Sequence, residues 1–168
     1  GDRSGGGAVH VVSKGAMSVA GRISANAGRG YAYYQPAGGS VWIEAASLSG
    51  AGRIEALAPL QATGGPGGGG RIAVKLSGGR EAMAFTGEIT AAGAACKADL
   101  HGAPGTIYIE TADDAEDGGK LIANGSGERP QYCTGTWLTA RAAPYDFSTI
   151  ELGNKGIFEN GKLTLEQV

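Results

Sequence analysis

GGSVWIEAASLSGAGRIEA, running from Gly38 to Ala56, holds two short alternating segments separated by a glycine-bounded turn. In GSVWIE (Gly39 to Glu44), Val41 and Ile43 alternate with Trp42 and Glu44. A strand puts successive side chains on opposite faces, so Val41 and Ile43 point to one side. In GRIEA (Gly52 to Ala56), Ile54 stands alone among polar neighbours in the same way. Neither segment can bury its apolar side unaided.

The same pair recurs along the chain. First strands read GAVHVV (Gly7 to Val12), GSVWIE, GRIAVK (Gly70 to Lys75) and GTIYIE (Gly105 to Glu110). Partner strands read GRISA (Gly21 to Ala25), GRIEA, GEITA (Gly87 to Ala91) and GKLIA (Gly119 to Ala123). The anchors Val9, Val41, Ile72 and Ile107 are spaced by 32, 31 and 35 residues, and Ile23, Ile54, Ile89 and Leu121 by 31, 35 and 32. A period of this size marks a stacked repeat in which each coil covers the apolar side of its neighbour. Leucine-rich and helical repeats share the period, but no window carries a 3.6-residue apolar pattern and glycine punctuates every strand. The spacing predicts an all-β, right-handed parallel β-helix of four to five coils. Val9/Val11, Val41/Ile43, Ile72/Val74 and Ile107/Ile109 line its core.

The whole chain, 1–168, reads as one domain that opens inside its first repeat, as a module excised from a larger extracellular protein would. Regular coils occupy 6–124, residues 125–147 are less regular, and 148–168 form a final coil with Ile150/Leu152 and Leu163/Leu165 as its apolar pairs. Loops of unequal character, RGYAYYQPA (Arg29 to Ala37), TGGPGGGG (Thr63 to Gly70) and CKADLHGAPG (Cys96 to Gly105), project between fixed strands.

Glycine accounts for 32 of 168 residues, against an ordinary share of about 7 %. The net charge of −2 supplies no field to gather nucleic acid or an anionic membrane. No apolar run approaches the roughly 20 residues of a membrane helix. Cys96 and Cys133 occupy equivalent loop positions one coil apart, so an oxidising compartment would bridge them as a disulfide. With only His10 and His101 to supplement them, their spacing fits no zinc motif.

Outward positions fall into columns. Arg22, Arg53, Glu88 and Lys120 form one, and Glu44, Lys75 and Glu110 a second of alternating sign. These read as solvated ladders. The other reading, an acidic-sugar strip on Arg22 and Arg53, is opposed by neighbouring Glu55. The third column, His10, Trp42, Ala73 and Tyr108, turns aromatic rings outward. Such rings either pack under a loop or stack on the C–H face of a sugar, with Tyr31, Tyr33 and Tyr34 in the preceding loop to assist. The acidic turn TADDAEDGG (Thr111 to Gly119) offers Asp113, Asp114, Glu116 and Asp117 as calcium ligands, but its spacing matches no known calcium loop and no cofactor is expected. No constellation for a lyase or a two-carboxylate hydrolase is assembled by Asp99, Lys97, His101 or Asp146.

Segments such as GGPGGGGRIAV, FTGEITAAG and GKLIANG resemble the glycine-rich β-helix repeats of large secreted or surface bacterial proteins, related in architecture to pectate lyases and adhesins. The resemblance implies an extracellular or cell-surface solenoid and carries no catalytic motif over to this chain. The expectation is therefore a non-catalytic module that binds a polysaccharide or cell-surface glycan through Tyr31, Tyr33, Tyr34, Trp42 and Tyr108. A spacer or end-to-end filament segment is the alternative, and a polysaccharide lyase or hydrolase fragment comes third.

Overall fold

The computed structural model describes residues 4–28, 35–59, 65–94, 102–124 and 145–153. They form a parallel β-solenoid of three stacked turns. Each turn has three strands rather than two. Turn one comprises β1 (Ala8–Val12), β2 (Ala16–Ser18) and β3 (Arg22–Ser24), and turn two β4 (Ser40–Ala45), β5 (Ser47–Gly50) and β6 (Arg53–Glu55). Turn three comprises β7 (Arg71–Leu76), β8 (Met83–Phe85) and β9 (Glu88–Thr90), with a single 3₁₀ turn at Arg80–Ala82. Like strands stack in parallel as β1-β4-β7, β2-β5-β8 and β3-β6-β9. The middle strands escape the repeat pattern because Met17, Leu48 and Met83 are isolated apolar signals with no glycine recurring at a fixed place before them, unlike Gly21, Gly52 and Gly87 before the third strands.

The register stacks like on like: Val9, Val41, Ile72 and Ile107 form one inward column, and Val11, Ile43, Val74 and Ile109 the next. Turn two, sandwiched on both sides, buries Ile43, Leu48 and Ile54 completely, one residue from each sheet. Their turn-one counterparts Val11, Met17 and Ile23 stay half-buried, since among the described residues turn one is stacked on one side only. Burial of a side chain of this size contributes about 1.5–3 kcal/mol, so the core is strongest at its centre.

Corners close by a recurring bond: Gly39 N donates to Ala25 O, Gly70 N to Ala56 O and Gly105 N to Ala91 O, each at 2.8 Å. The glycine just before each first strand lies against the same carbonyl. A Cβ built on Gly6, Gly38 or Gly69 would come within 2.1, 2.3 or 1.8 Å of Ala25 O, Ala56 O or Ala91 O. Only a residue without a side chain fits there.

The fourth repeat corrects the sequence expectation of four to five coils. β10 (Thr106–Glu110) continues the first sheet in parallel beside β7, but β11 (Lys120–Asn124) folds back antiparallel onto β10, pairing Tyr108 with Leu121 and Ile109 with Lys120. Lys120 therefore leaves the Arg22/Arg53/Glu88 column and pairs instead with Glu151. The reason is chemical. TADDAEDGG has no large apolar residue to serve as an inward middle strand. Its carboxylates fasten a reversal instead, with Asp114 accepting from Thr111 N at 2.9 Å and Oγ1 at 3.0 Å, and Asp117 held at φ 58° before Gly118 and Gly119. β12 (Thr149–Gly153) then adds parallel to β11, giving a six-stranded first sheet. The rest of the expected final coil, including Leu163 and Leu165, lies outside the described residues.

Candidate functional site

Three successive first-sheet strands carry three outward residues each, and the register fixes them as a grid. Trp42, Ala73 and Tyr108 are direct neighbours across β4, β7 and β10. One row along lie Ser40, Arg71 and Thr106, and on the other side Glu44, Lys75 and Glu110. Adjacent strands are about 4.8 Å apart, so Trp42 and Tyr108 rise about 9.6 Å from each other, with Ala73 as the residue between them in that row. The result is a groove of about 570 Å³ floored by Ala73.

Its upper wall comes from later in the chain. Phe147 lies 6.2 Å from Tyr108 in a tilted arrangement and stacks on Tyr145 at 5.4 Å, and Leu121 is buried in the same wall. The segment is fastened by Ser148 N donating to Gly118 O at 2.7 Å. Trp42 remains 41 % exposed, with His10 edge-on at 6.5 Å and its indole N–H donating to Glu44 at 2.7 Å. The ring is displayed rather than covered.

Tyr108 is held more tightly. Its hydroxyl donates to Glu110 and accepts from Gly119 N at 2.9 Å, and burial, followed by the bond to Glu110, pushes the phenol far above its ordinary pKa. Lys75 reaches between the two rings, its Nζ 5.9 Å from the centre of Trp42 and 6.0 Å from that of Tyr108, within cation–π range. It bridges Asp117 at 3.0 Å and Glu110 at 3.3 Å. Partial burial pulls its pKa down, but bonding and attraction to those two carboxylates outweigh this and leave it above the ordinary lysine value. Lys75 is thus a neutralised brace between the rings.

The aromatic column of the sequence reading is present as a surface, with Trp42 and Tyr108 brought together. Tyr31, Tyr33 and Tyr34 lie outside the described residues, as do Cys96, Cys133, Asp99, Lys97 and His101. The periodicity did not reveal Tyr145 and Phe147, which lie at the end of the irregular segment, although the aromatic pair in APYDF was a usable signal. On the third sheet, Glu55 is 1 % exposed and bonds Arg22, Arg53 and Asn26, which removes both arginines from service as an anion strip. Asp113 accepts from Arg80 N at 2.8 Å, so this carboxylate and those of Asp114 and Asp117 already have partners within the fold. Among the described residues no group of three or more His, Cys, Asp or Glu is gathered in a way that could hold a metal. No described helix is long and apolar enough to cross a membrane.

Compared with known proteins, the chain matches no family model, no curated protein and no solved structure.

Proposed function

We propose that this solenoid is a non-catalytic extracellular module of a bacterial surface or polysaccharide-processing protein, and that it binds glycan in the groove over Ala73. The observation that carries the reading is a displayed indole facing a fixed phenol ring across a depression one residue wide. Flat rings on a rigid sheet suit the apolar face of a pyranose, and ordering them costs little because the strands beneath are fully bonded. Binding rather than turnover is favoured because Asp117, which lines the groove, and Glu110, in the row beside it, are both committed to Lys75. The extracellular setting, and the likeness to pectate-lyase-type and adhesin solenoids, rest on the glycine-rich repeats.

The test is a broad glycan array followed by calorimetric titration of the best ligand against Trp42→Ala and Ala73→Leu. Loss of a stacking ring weakens binding about 5- to 100-fold, on a scale of about 1–3 kcal/mol for a desolvated aromatic contact. Filling the floor with a leucine blocks the groove without touching the core. Absence of binding across the array, or binding untouched by both substitutions, refutes the reading.

A second reading, end-to-end association, is favoured by one observation: among the described residues β1, β2 and β3 each have a strand partner on one side only, beside half-buried Val11, Met17 and Ile23. Such edges pair readily with other strands. Size measurement over a concentration range tests it.

A further inference from the structure

We infer that the groove selects an acidic sugar unit, whose anionic substituent meets Arg71 while its ring lies between Trp42 and Tyr108. This rests on the glycan reading above and specifies its substrate class. The two ends of the groove, on either side of Ala73 along β7, are electrically opposite. At the Lys75 end one ammonium faces Glu110 and Asp117, and Glu44 adds a third carboxylate one strand away. That end repels an anion and accepts hydrogen bonds from sugar hydroxyls. At the other end Arg71 is exposed, and its guanidinium donates to the neutral Ser40 Oγ at 3.2 Å, its one side-chain partner among the described residues. Among the described residues no carboxylate lies within ion-pair distance of Arg71, whereas Arg22 and Arg53 are both tied to Glu55.

The distances fit one sugar unit. Arg71 and Ala73 are two residues apart on one strand, about 6.6 Å, so a ring seated over the Ala73 methyl places a substituent on its rim within reach of the guanidinium. A guanidinium binds carboxylate or sulfate through two parallel N–H donors, and it loses little hydration on doing so. Arg71 thus fixes the direction in which the sugar lies as well as its charge.

Titrations with a uronic-acid oligosaccharide, its carboxyl-reduced neutral counterpart and a sulfated oligosaccharide of similar length test this. The acidic sugar is expected to bind about tenfold more tightly than its reduced form, the scale of one partly exposed charge-assisted bond. The preference should shrink as salt is raised. Arg71→Gln should bring the acidic ligand down toward the affinity of the neutral one while weakening the neutral one far less, and Arg71→Lys should restore part of the difference. If the sulfated ligand is the tighter one and shows the same dependence on Arg71, the anion site stands and its substituent is assigned. Equal binding of acidic and reduced sugars, indifferent to Arg71→Gln, overturns the acidic selectivity but leaves glycan binding intact. Failure of all three ligands, together with an empty array, removes the glycan reading itself.

Discussion

Gly69→Ala should be among the most destabilising single methyl additions this chain can receive, although it introduces no polar group and no left-handed backbone. The new Cβ would stand 1.8 Å from Ala91 O, whereas carbon and oxygen rest at about 3.5 Å. Ala91 O already accepts the corner bond from Gly105 N at 2.8 Å, and the same Cβ would lie 2.5 Å from Gly105 N. The corner must open by more than an ångström, sacrificing that bond at about 1 kcal/mol and adding about 1–3 kcal/mol of overpacking. The sum, about 2–4 kcal/mol, corresponds to about 4–16 °C in the unfolding midpoint of a chain this size. Gly7→Ala is the matched control, because a Cβ there meets nothing within 4 Å; it should shift stability by no more than about 1 kcal/mol in either direction. Thermal unfolding followed by circular dichroism reads both. Equal midpoints for the two variants would refute the close-packed corner.

Three further outcomes are expected. Val74→Ala, at a site with no exposed surface between Ile43 and Ile109, should cost about 1–3 kcal/mol in urea unfolding. Asp114 is held below its ordinary value of 3.8, chiefly by the Thr111 N–H, so its stabilisation is complete above that pH and fades as pH falls through the lowered pKa; Asp114→Ala should loosen the reversal and flatten that acid limb of the stability curve. Lys75 runs the other way: its pKa is raised above 10.5, so its contribution is complete below that pH and is lost as pH rises through the folded value, and Lys75→Gln should remove that alkaline loss.

Much of the solenoid was legible because its code is redundant. Val9, Val41, Ile72 and Ile107 repeat one inward position, and the register confirms it strand by strand. The outward column was equally plain, since alternation that turns Val41 and Ile43 in must turn Trp42 out. The fourth repeat misled because GKLIA keeps the spacing while its environment changes: periodicity counts residues and is blind to what the intervening TADDAEDGG can bury. A sharper signal stood at position 104. Where the earlier turns carry Gly6, Gly38 and Gly69 against the closing carbonyl, the fourth carries Pro104, whose ring could not occupy that corner in a closed coil. The place of the groove's upper wall was not given by the repeat spacing, because Tyr145 and Phe147 follow a long aperiodic stretch; only their aromatic character in APYDF marked them.

Burial within the described stack is uneven, and this gives it a direction of loosening. Interactions in a stack of this kind pass only between neighbours, so each turn's resistance to opening is set locally. Among the described residues turn one, with half-buried Val11, Met17 and Ile23, has a stacked neighbour on one side only, so hydrogen exchange is expected to be faster there than in turn two. The groove is carried by β4, β7 and β10, one step inside that margin. Opening of turn one alone would leave the Trp42–Ala73–Tyr108 surface in place, because every strand of that surface lies beyond it.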